Sequence, residues 1–267
     1  MAITSFIPKV WSAKLLENFN RALVIGALCN RSYEGDIAQF GDAVHIGSLA
    51  DITVKPYVPG ADIDDPEQLD GTDRVLTIDH GAYFNFFVSD VDAAQARAEL
   101  MEPAMRNAAQ KLAEDTEDYL LGKILEEAGV NLSGSLKAGA VYEALVALKT
   151  QMDEKNVPKA GRCLVVPASI EAELLLDSRF ISAGAMGENR LAEGSVAKAA
   201  GFDIYVSGAL TDKMLAFTRD CVTFAQQIVK TEAYRHEKGF DDGVKGLSLC
   251  GAKVVLPQYT FVYTITK

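Results

Sequence analysis

The chain is short of basic residues and does not cluster those it has. Its 26 Lys and Arg stand against 37 Asp and Glu, for a formal net charge of -11 and a pI near 4.8. Neutralising nucleic-acid phosphates takes grouped Lys and Arg, so this balance excludes a nucleic-acid reader. Histidine is scarcer still, and any His-based acid–base mechanism must use His45, His80 or His236. Cys29, Cys163, Cys221 and Cys250 stand singly, without a CxxC pair or a histidine at ligand spacing. That excludes a zinc module and leads us to expect buried, reduced thiols. No GxSxG elbow, GxxxxGK loop, GxGxxG fingerprint or HExxH pair occurs, so the common nucleophile, nucleotide and metalloprotease signatures are missing. Long apolar runs are missing too. Residues 22–29 form one of the longest, far below the ~20 residues a membrane helix needs. The opening residues lack a basic stretch followed by a long apolar one, so no secretory signal and no membrane partner are expected, and the chain is expected to be soluble and intracellular when made.

What remains is a globular composition of 267 residues, 49% hydrophobic, with a mean hydropathy of +0.07. This is enough chain for one large domain or two small ones. Phe6, Ile7, Pro8, Val10 and Trp11 make an apolar tip ahead of Leu15, Leu16, Phe19, Leu23 and Val24 at helical spacing. Such a terminus packs either on its own domain or on a neighbouring molecule. Residues 43–46, 52–57, 74–78 and the aromatic run around 83–87 read as strands. Residues 58–73 between them are acidic and carry no apolar period. Connections longer than about 12 to 15 residues without structure of their own are uncommon in a compact domain, so this excursion calls for a second molecule or a function.

A long helix follows, expected within residues 89–128, with Ser89 and Asp90 as its start signal. Met105, Ala108, Ala109, Leu112, Thr116, Tyr119, Leu120, Ile124 and Leu125 make its buried stripe, and Gly129 stops it. The part from Pro103 onward spans about 39 Å at 1.5 Å per residue, with Pro103 tolerated in a first turn or at a kink. Residues 132–229 alternate helix and strand: a helix through Val141 and Met152, strand 163–166, a helix from Pro167 to Leu176, and strands at 202–206, 215–218 and 221–226. Residues 178–193 read as a Gly-, Ala- and Ser-rich loop, and 239–243 as a turn before the closing strands. The long helix and the late strands point to one sheet assembled from distant segments.

Catalytic candidates are thin. Asp241 and Asp242 are adjacent in the expected turn and would point apart, while each histidine fits a structural or solvated role better than a catalytic one. Asp62, Asp64, Asp65, Glu67, Asp70 and Asp73 could face a hard cation, but their spacing around Gly71 is not that of a calcium loop, and a solvated acidic loop is the better reading. No catalytic, cofactor or metal residues are therefore assigned.

Three blocks, taken in order, carry a resemblance: Phe6-Ile7-Pro8-Lys9-Val10-Trp11; Asn30-Arg31-Ser32-Tyr33-Glu34-Gly35-Asp36-Ile37 followed by Gly41-Asp42-Ala43-Val44; and the run from Gly243 through Gly251 to Pro257. With them the chain resembles the major capsid protein of tailed double-stranded DNA bacteriophages, the Hong Kong 97-type fold. The resemblance implies an α+β fold. Residues 1–30 would be an N-terminal arm and 31–131 the first part of a peripheral domain, holding an extended hairpin loop (about 50–79) and a spine helix (about 92–128). Residues 132–229 would be an α/β axial domain, and 230–267 the return to the peripheral domain. It implies a non-enzymatic, cofactor-free subunit that assembles with copies of itself into hexamers and pentamers of an icosahedral head, encloses DNA without reading it, and is built in the host bacterial cytoplasm. Since no long helical scaffolding segment precedes the arm, either a separate scaffolding protein or prior removal of a segment is implied, with the scaffolding protein and a portal as the expected partners. The extended loop holds only Lys55, at its base, so non-covalent cohesion is expected in place of Lys to Asn cross-links. Expected contacts between subunits are Phe6, Trp11, Tyr57, Asp62, Asp64, Asp65, Glu67, Asp70 and Arg74. Two rivals stand beside this reading: an encapsulin-like compartment shell holding protein cargo, and an enzyme with an unrecognised site in the α/β block that uses Asp241, Asp242 or His236.

Overall fold

The computed structural model describes residues 23–34, 40–49, 54, 56, 71–89, 101–135, 141–177, 198–235 and 241–266. Its longest element is helix α2 (Met101–Glu127), which follows the short helix α1 (Ile25–Leu28). Pro103 lies in the first turn of α2, where its missing N–H leaves no bond unmade. Along α2, Met105, Ala109, Leu112, Ala113, Thr116, Leu120, Leu121 and Ile124 are buried, close to the stripe expected from the sequence. Gly129, just past the end of the helix, is required sterically. A Cβ there would lie 2.5 Å from the Pro257 carbonyl oxygen, which instead accepts a hydrogen bond from the Gly129 amide at 3.0 Å.

Strands β1 (Ala43–Leu49) and β2 (Gly71–Thr77) form an antiparallel hairpin, with Ala43 opposite Thr77 and Leu49 opposite Gly71. Strand β3 (His80–Ser89) belongs to a second sheet with β9 (Val222–Arg235) and β10 (Asp241–Val254), in the order β3-β10-β9. Residues far apart in sequence thus share one sheet, as the late apolar strands implied. The third sheet has six strands: β4 (Val130–Ser135), β5 (Arg162–Val166), β6 (Lys198–Ala199), β7 (Phe202–Val206), β8 (Lys213–Thr218) and β11 (Phe261–Thr266), in the order β4-β11-β8-β5-β7-β6. Helices α3 (Val141–Glu154) and α4 (Ala168–Leu176) pack on it through Leu145, Leu148, Met152, Ile170 and Leu174.

The central strands of this sheet are covered on both faces. On β8, Met214 and Ala216 face α3 and α4 while Leu215 and Phe217 face the opposite core; on β5, Leu164 and Val166 alternate in the same way with Cys163 and Val165. Strands covered on both sides read as continuous apolar runs. The opposite core draws on both larger sheets and on helices α1 and α2. It joins Ile25 and Leu28 of α1, Leu120, Leu121 and Ile124 of α2, Phe217 of β8, Phe224 of β9, Val254 of β10 and Val262 of β11.

Several expectations need correction. Residues 221–226 are not a strand of the α/β block. After a 3-10 turn at Arg219–Cys221 the chain crosses to the three-stranded sheet, and β9 runs on to Arg235 with a register shift opposite Leu247 and Ser248. The last strand does the reverse: β11 pairs with β4 and β8 in the six-stranded sheet. Strand β4 was not expected at all. Asp241 and Asp242 open β10, opposite Ser89 and Val88, so they belong to a strand and not to a turn. Val54 and Pro56, expected within a strand, lie in none. The expected loop 178–193, and residues 92–100 of the expected helix, lie outside the described residues.

Leu120 is fully buried in the shared core. Leu120→Ala should lower the unfolding free energy of the unassembled subunit by about 2–5 kcal/mol, measured by chemical denaturation.

Candidate assembly surface

Strand pleating divides β3 into two faces. Ala82, Phe84 and Phe86 turn inward onto a core of Met105, Ala109 and Leu112 from α2 and Val244 from β10. Tyr83 and Phe87 turn outward and are 78% and 63% exposed. Leu247 of β10 is also exposed, and a groove of about 500 Å³ is lined by Tyr83, Asn85, Glu232, Lys245 and Leu247. The polar groups beside it are occupied with one another. Tyr234 donates its hydroxyl to Asn85 Oδ1 at 2.7 Å, Lys245 Nζ meets Glu232 at 3.1 Å, and the same Nζ sits 5.7 Å from the centre of the Tyr234 ring. What the face offers a second molecule is therefore two aromatic rings and a leucine. Exposed aromatic side chains are the residue type enriched where subunits meet. No candidate contact residue from the sequence lay here, although an Asn at the centre of Tyr83-Phe84-Asn85-Phe86-Phe87 already signals that a strand cannot bury the whole run.

A second feature lies where α1 meets α2. Val24, the N-cap of α1, makes no side-chain cap bond. Glu117, one turn before the buried Leu120, supplies the missing acceptor: its Oε1 takes hydrogen bonds from the Ile25 amide at 2.8 Å and the Gly26 amide at 3.2 Å. The Glu117 side chain is buried, and its Oε2 has no hydrogen-bond partner. Burial pushes its carboxyl above the usual glutamate range, and the amides at Gly26, Ile25 and Val24 only partly oppose that. A cleft of about 760 Å³ opens beside it, between Arg106, Glu114 and Asp118 of α2 and the segment from Ser207 to Ala209.

Among the residues singled out from the sequence, Arg74 lies on β2 opposite Ile46, half-buried, with its Nε unpartnered. Phe6, Trp11, Tyr57, Asp62, Asp64, Asp65, Glu67, Asp70 and His236 lie outside the described residues. His45 and Asp73 form an exposed pair across the hairpin at 2.6 Å. His80 pairs with Asp115 at 2.7 Å and lies opposite Cys250 in the sheet register. This looks like the start of a Cys-His-Asp set, yet the Cys250 thiol is pushed up to about 12, first by burial and then by Asp115 and Asp79. It is held protonated at neutral pH and is no nucleophile. All four cysteines are buried and free, as expected. Among the described residues no cluster of His, Cys, Asp and Glu is arranged to hold a metal ion, and no helix is long and apolar enough to cross a membrane.

Comparison with known proteins bears on this surface. The family model described as phage capsid protein matches residues 76–265. A chain from Mycobacterium phage Che8 superposes with a TM-score of 0.76 at 27% identity, over 90% of each chain. A chain from the capsid of cyanophage P-SCSP1u gives 0.75 at 17% identity, over 92% of this chain and 88% of that one. A virus-like particle from Pyrococcus furiosus gives 0.62 at 14% identity, over 96% and 99%. No curated protein matches the sequence.

The buried carboxylate makes a pH prediction. A glutamate whose pKa is raised by folding costs nothing while it stays protonated, and its cost grows as pH climbs above 4.5, its ordinary value, through the folded value. Glu117→Gln keeps the oxygen that caps α1 and removes the charge. The thermal midpoint of Glu117→Gln minus that of the unsubstituted subunit should therefore rise between about pH 4.5 and 7. A difference that does not change with pH would show that folding leaves the Glu117 pKa unshifted.

Proposed function

Because this chain belongs to the phage capsid protein family, we propose that its copies close into an icosahedral phage head through lateral contacts, and that the outward face of β3 and β10 is one of the surfaces where they meet. The observation that carries this is the exposure of Tyr83 and Phe87 on a strand whose other face packs against the core. A monomer gains nothing from two uncovered aromatic rings. A shell subunit gains a contact each time it meets a neighbour.

On this reading residues 1–30 act as an arm, the excursion 50–79 reaches across to an adjacent copy, and Arg74 with the acidic run from Asp62 to Asp73 lies at that contact. Residues 31–131 with 230–267 make the peripheral part, and 132–229 the axial part that gathers at the symmetry axes of hexamers and pentamers. Each contact is of ordinary size and modest strength, so misplaced copies can detach, while many neighbours together hold a correct one. A separate scaffolding protein and a portal complete the head in the host cytoplasm. DNA is enclosed, not bound: a charge of -11 suits a wall along which DNA must slide, since a basic lining would hold it in a salt-dependent way. A second, less supported reading is a compartment shell of the same fold around protein cargo. Nucleic acid within purified particles separates the first reading from the second.

The purified chain should form closed particles roughly tens of nanometres across, visible by negative-stain microscopy and light scattering. Substituting Tyr83→Ser together with Phe87→Ser should raise the concentration needed for assembly at least about tenfold, because uncovering or removing an aromatic contact is worth about 1.5 kcal/mol or more. The melting temperature of the unassembled subunit should stay unchanged. A chain that remains monomeric at high concentration would contradict the proposal.

A further inference from the structure

Strand β2 becomes β3 through Ile78 and Asp79 alone, so the hairpin is joined to the body at a very short connection. A two-stranded hairpin is at best marginally stable by itself, and its direction depends on whatever holds its base. Part of that hold is apolar: Ile46, Leu76 and Ile78 are buried against Ala225 and Leu249. Gly251 passes directly beneath, where a Cβ would stand 2.3 Å from the Thr77 carbonyl oxygen, so backbone lies against backbone. Apolar contact of this kind places the base but is non-directional, and does not fix how the hairpin is turned.

The directional contacts lie one residue further on. The Asp79 carboxylate accepts the Tyr119 hydroxyl and, at 3.0 Å, Lys123 Nζ. Next to it, His80 Nε2 meets Asp115 Oδ2 at 2.7 Å, and the His80 ring stacks on Tyr119 with centroids 4.4 Å apart and planes 14° from parallel. Asp115, Tyr119 and Lys123 follow one another at four-residue spacing on one side of α2. Two consecutive residues, Asp79 of the connection and His80 of β3, thus grip successive turns of the long helix. Their charge states suit the grip. Desolvation pushes the Asp79 carboxyl up, but the bonds from Tyr119 and Lys123 outweigh it and hold the group below its ordinary value. Burial and then Asp79 push the Tyr119 phenol up, and the bond to Asp79 raises Lys123 against a smaller desolvation effect. Carboxylate, phenol and ammonium therefore persist together across the neutral range.

We propose that Asp79, His80, Asp115, Tyr119 and Lys123 form a polar latch that sets the angle at which the β1–β2 hairpin leaves the long helix, and that this angle selects the geometry of the shell. The second half rests on the shell reading above. A latch, unlike a weld, opens without exposing the core. These bonds are solvent-accessible and water can replace each of them. Leu76 and Ile78 stay buried while the angle changes.

The test uses the full chain with Tyr119→Phe, Asp79→Asn and the pair combined. Tyr119→Phe removes one hydroxyl and keeps the ring stacked on His80, so it tests the latch even if Asp79→Asn folds poorly. Amide hydrogen exchange in residues 43–49 and 71–77 of the unassembled subunit should quicken about tenfold in each single variant, with β9 and β10 unchanged. The double variant should exchange little faster than either single one, because partners in one contact are not additive. Particles built from the variants should show a broadened or shifted diameter by microscopy. Unaltered exchange in the hairpin would overturn the latch, and faster exchange with unaltered diameters would overturn its role in shell geometry. If the unsubstituted chain forms no particles, the shell reading and the geometric claim fall together, while the exchange comparison still decides whether the latch exists.

Discussion

The rest of the structure depends on the burial of one face of the C-terminal half of α2. Leu120, Leu121 and Ile124 meet α1, the inner face of β5 and β8, and the adjoining ends of β9, β10 and β11 in a single core. None of these parts could bury its apolar residues alone. Phe217 and Phe224, on strands of two different sheets, are both fully buried there. Losing the helix would uncover both sheets at once.

Around this core, acidic side chains hold the margins in place. Glu117 caps α1. Glu127, at the end of α2, takes bonds from Lys253 Nζ at 2.7 Å and the Val254 amide at 3.0 Å, tying the helix to β10. Asp79 ties the hairpin base to Tyr119 and Lys123. Apolar burial supplies most of the stability, while these directional bonds decide where each projecting part points. In a subunit that must fit its neighbours from several sides, placement of the margins matters as much as stability of the centre.

How much of this could be read beforehand varied with the locality of the signal. Helix α2 was readable because its buried stripe is long and periodic, and because Pro103 and Gly129 sit where a start and a stop belong. The three-stranded sheet was foreseen only as a union of distant segments; its pairing is non-local and leaves no mark on any one strand. Strand β4 is polar in sequence, and only its parallel pairing with β11 makes it a strand. The apolar run at the end of the chain says that β11 is buried and not in which sheet. Glu117 escaped notice because charge normally faces water, and its task is set by amides 91 and 92 residues away. In sequence, Tyr83 and Phe87 merge with their neighbours into one apolar run, although pleating sends alternate residues to opposite faces. The contact residues chosen from the sequence, apart from Arg74, lie outside the described residues. The division into arm, peripheral and axial parts remains our proposal.

If α2 joins the two larger sheets through one core, those two sheets cannot unfold separately. Differential scanning calorimetry of the unassembled chain tests this most directly. The account predicts a single transition whose calorimetric and van't Hoff enthalpies agree. Two separable transitions, one for the six-stranded sheet with its helices and one for the remainder, would contradict it.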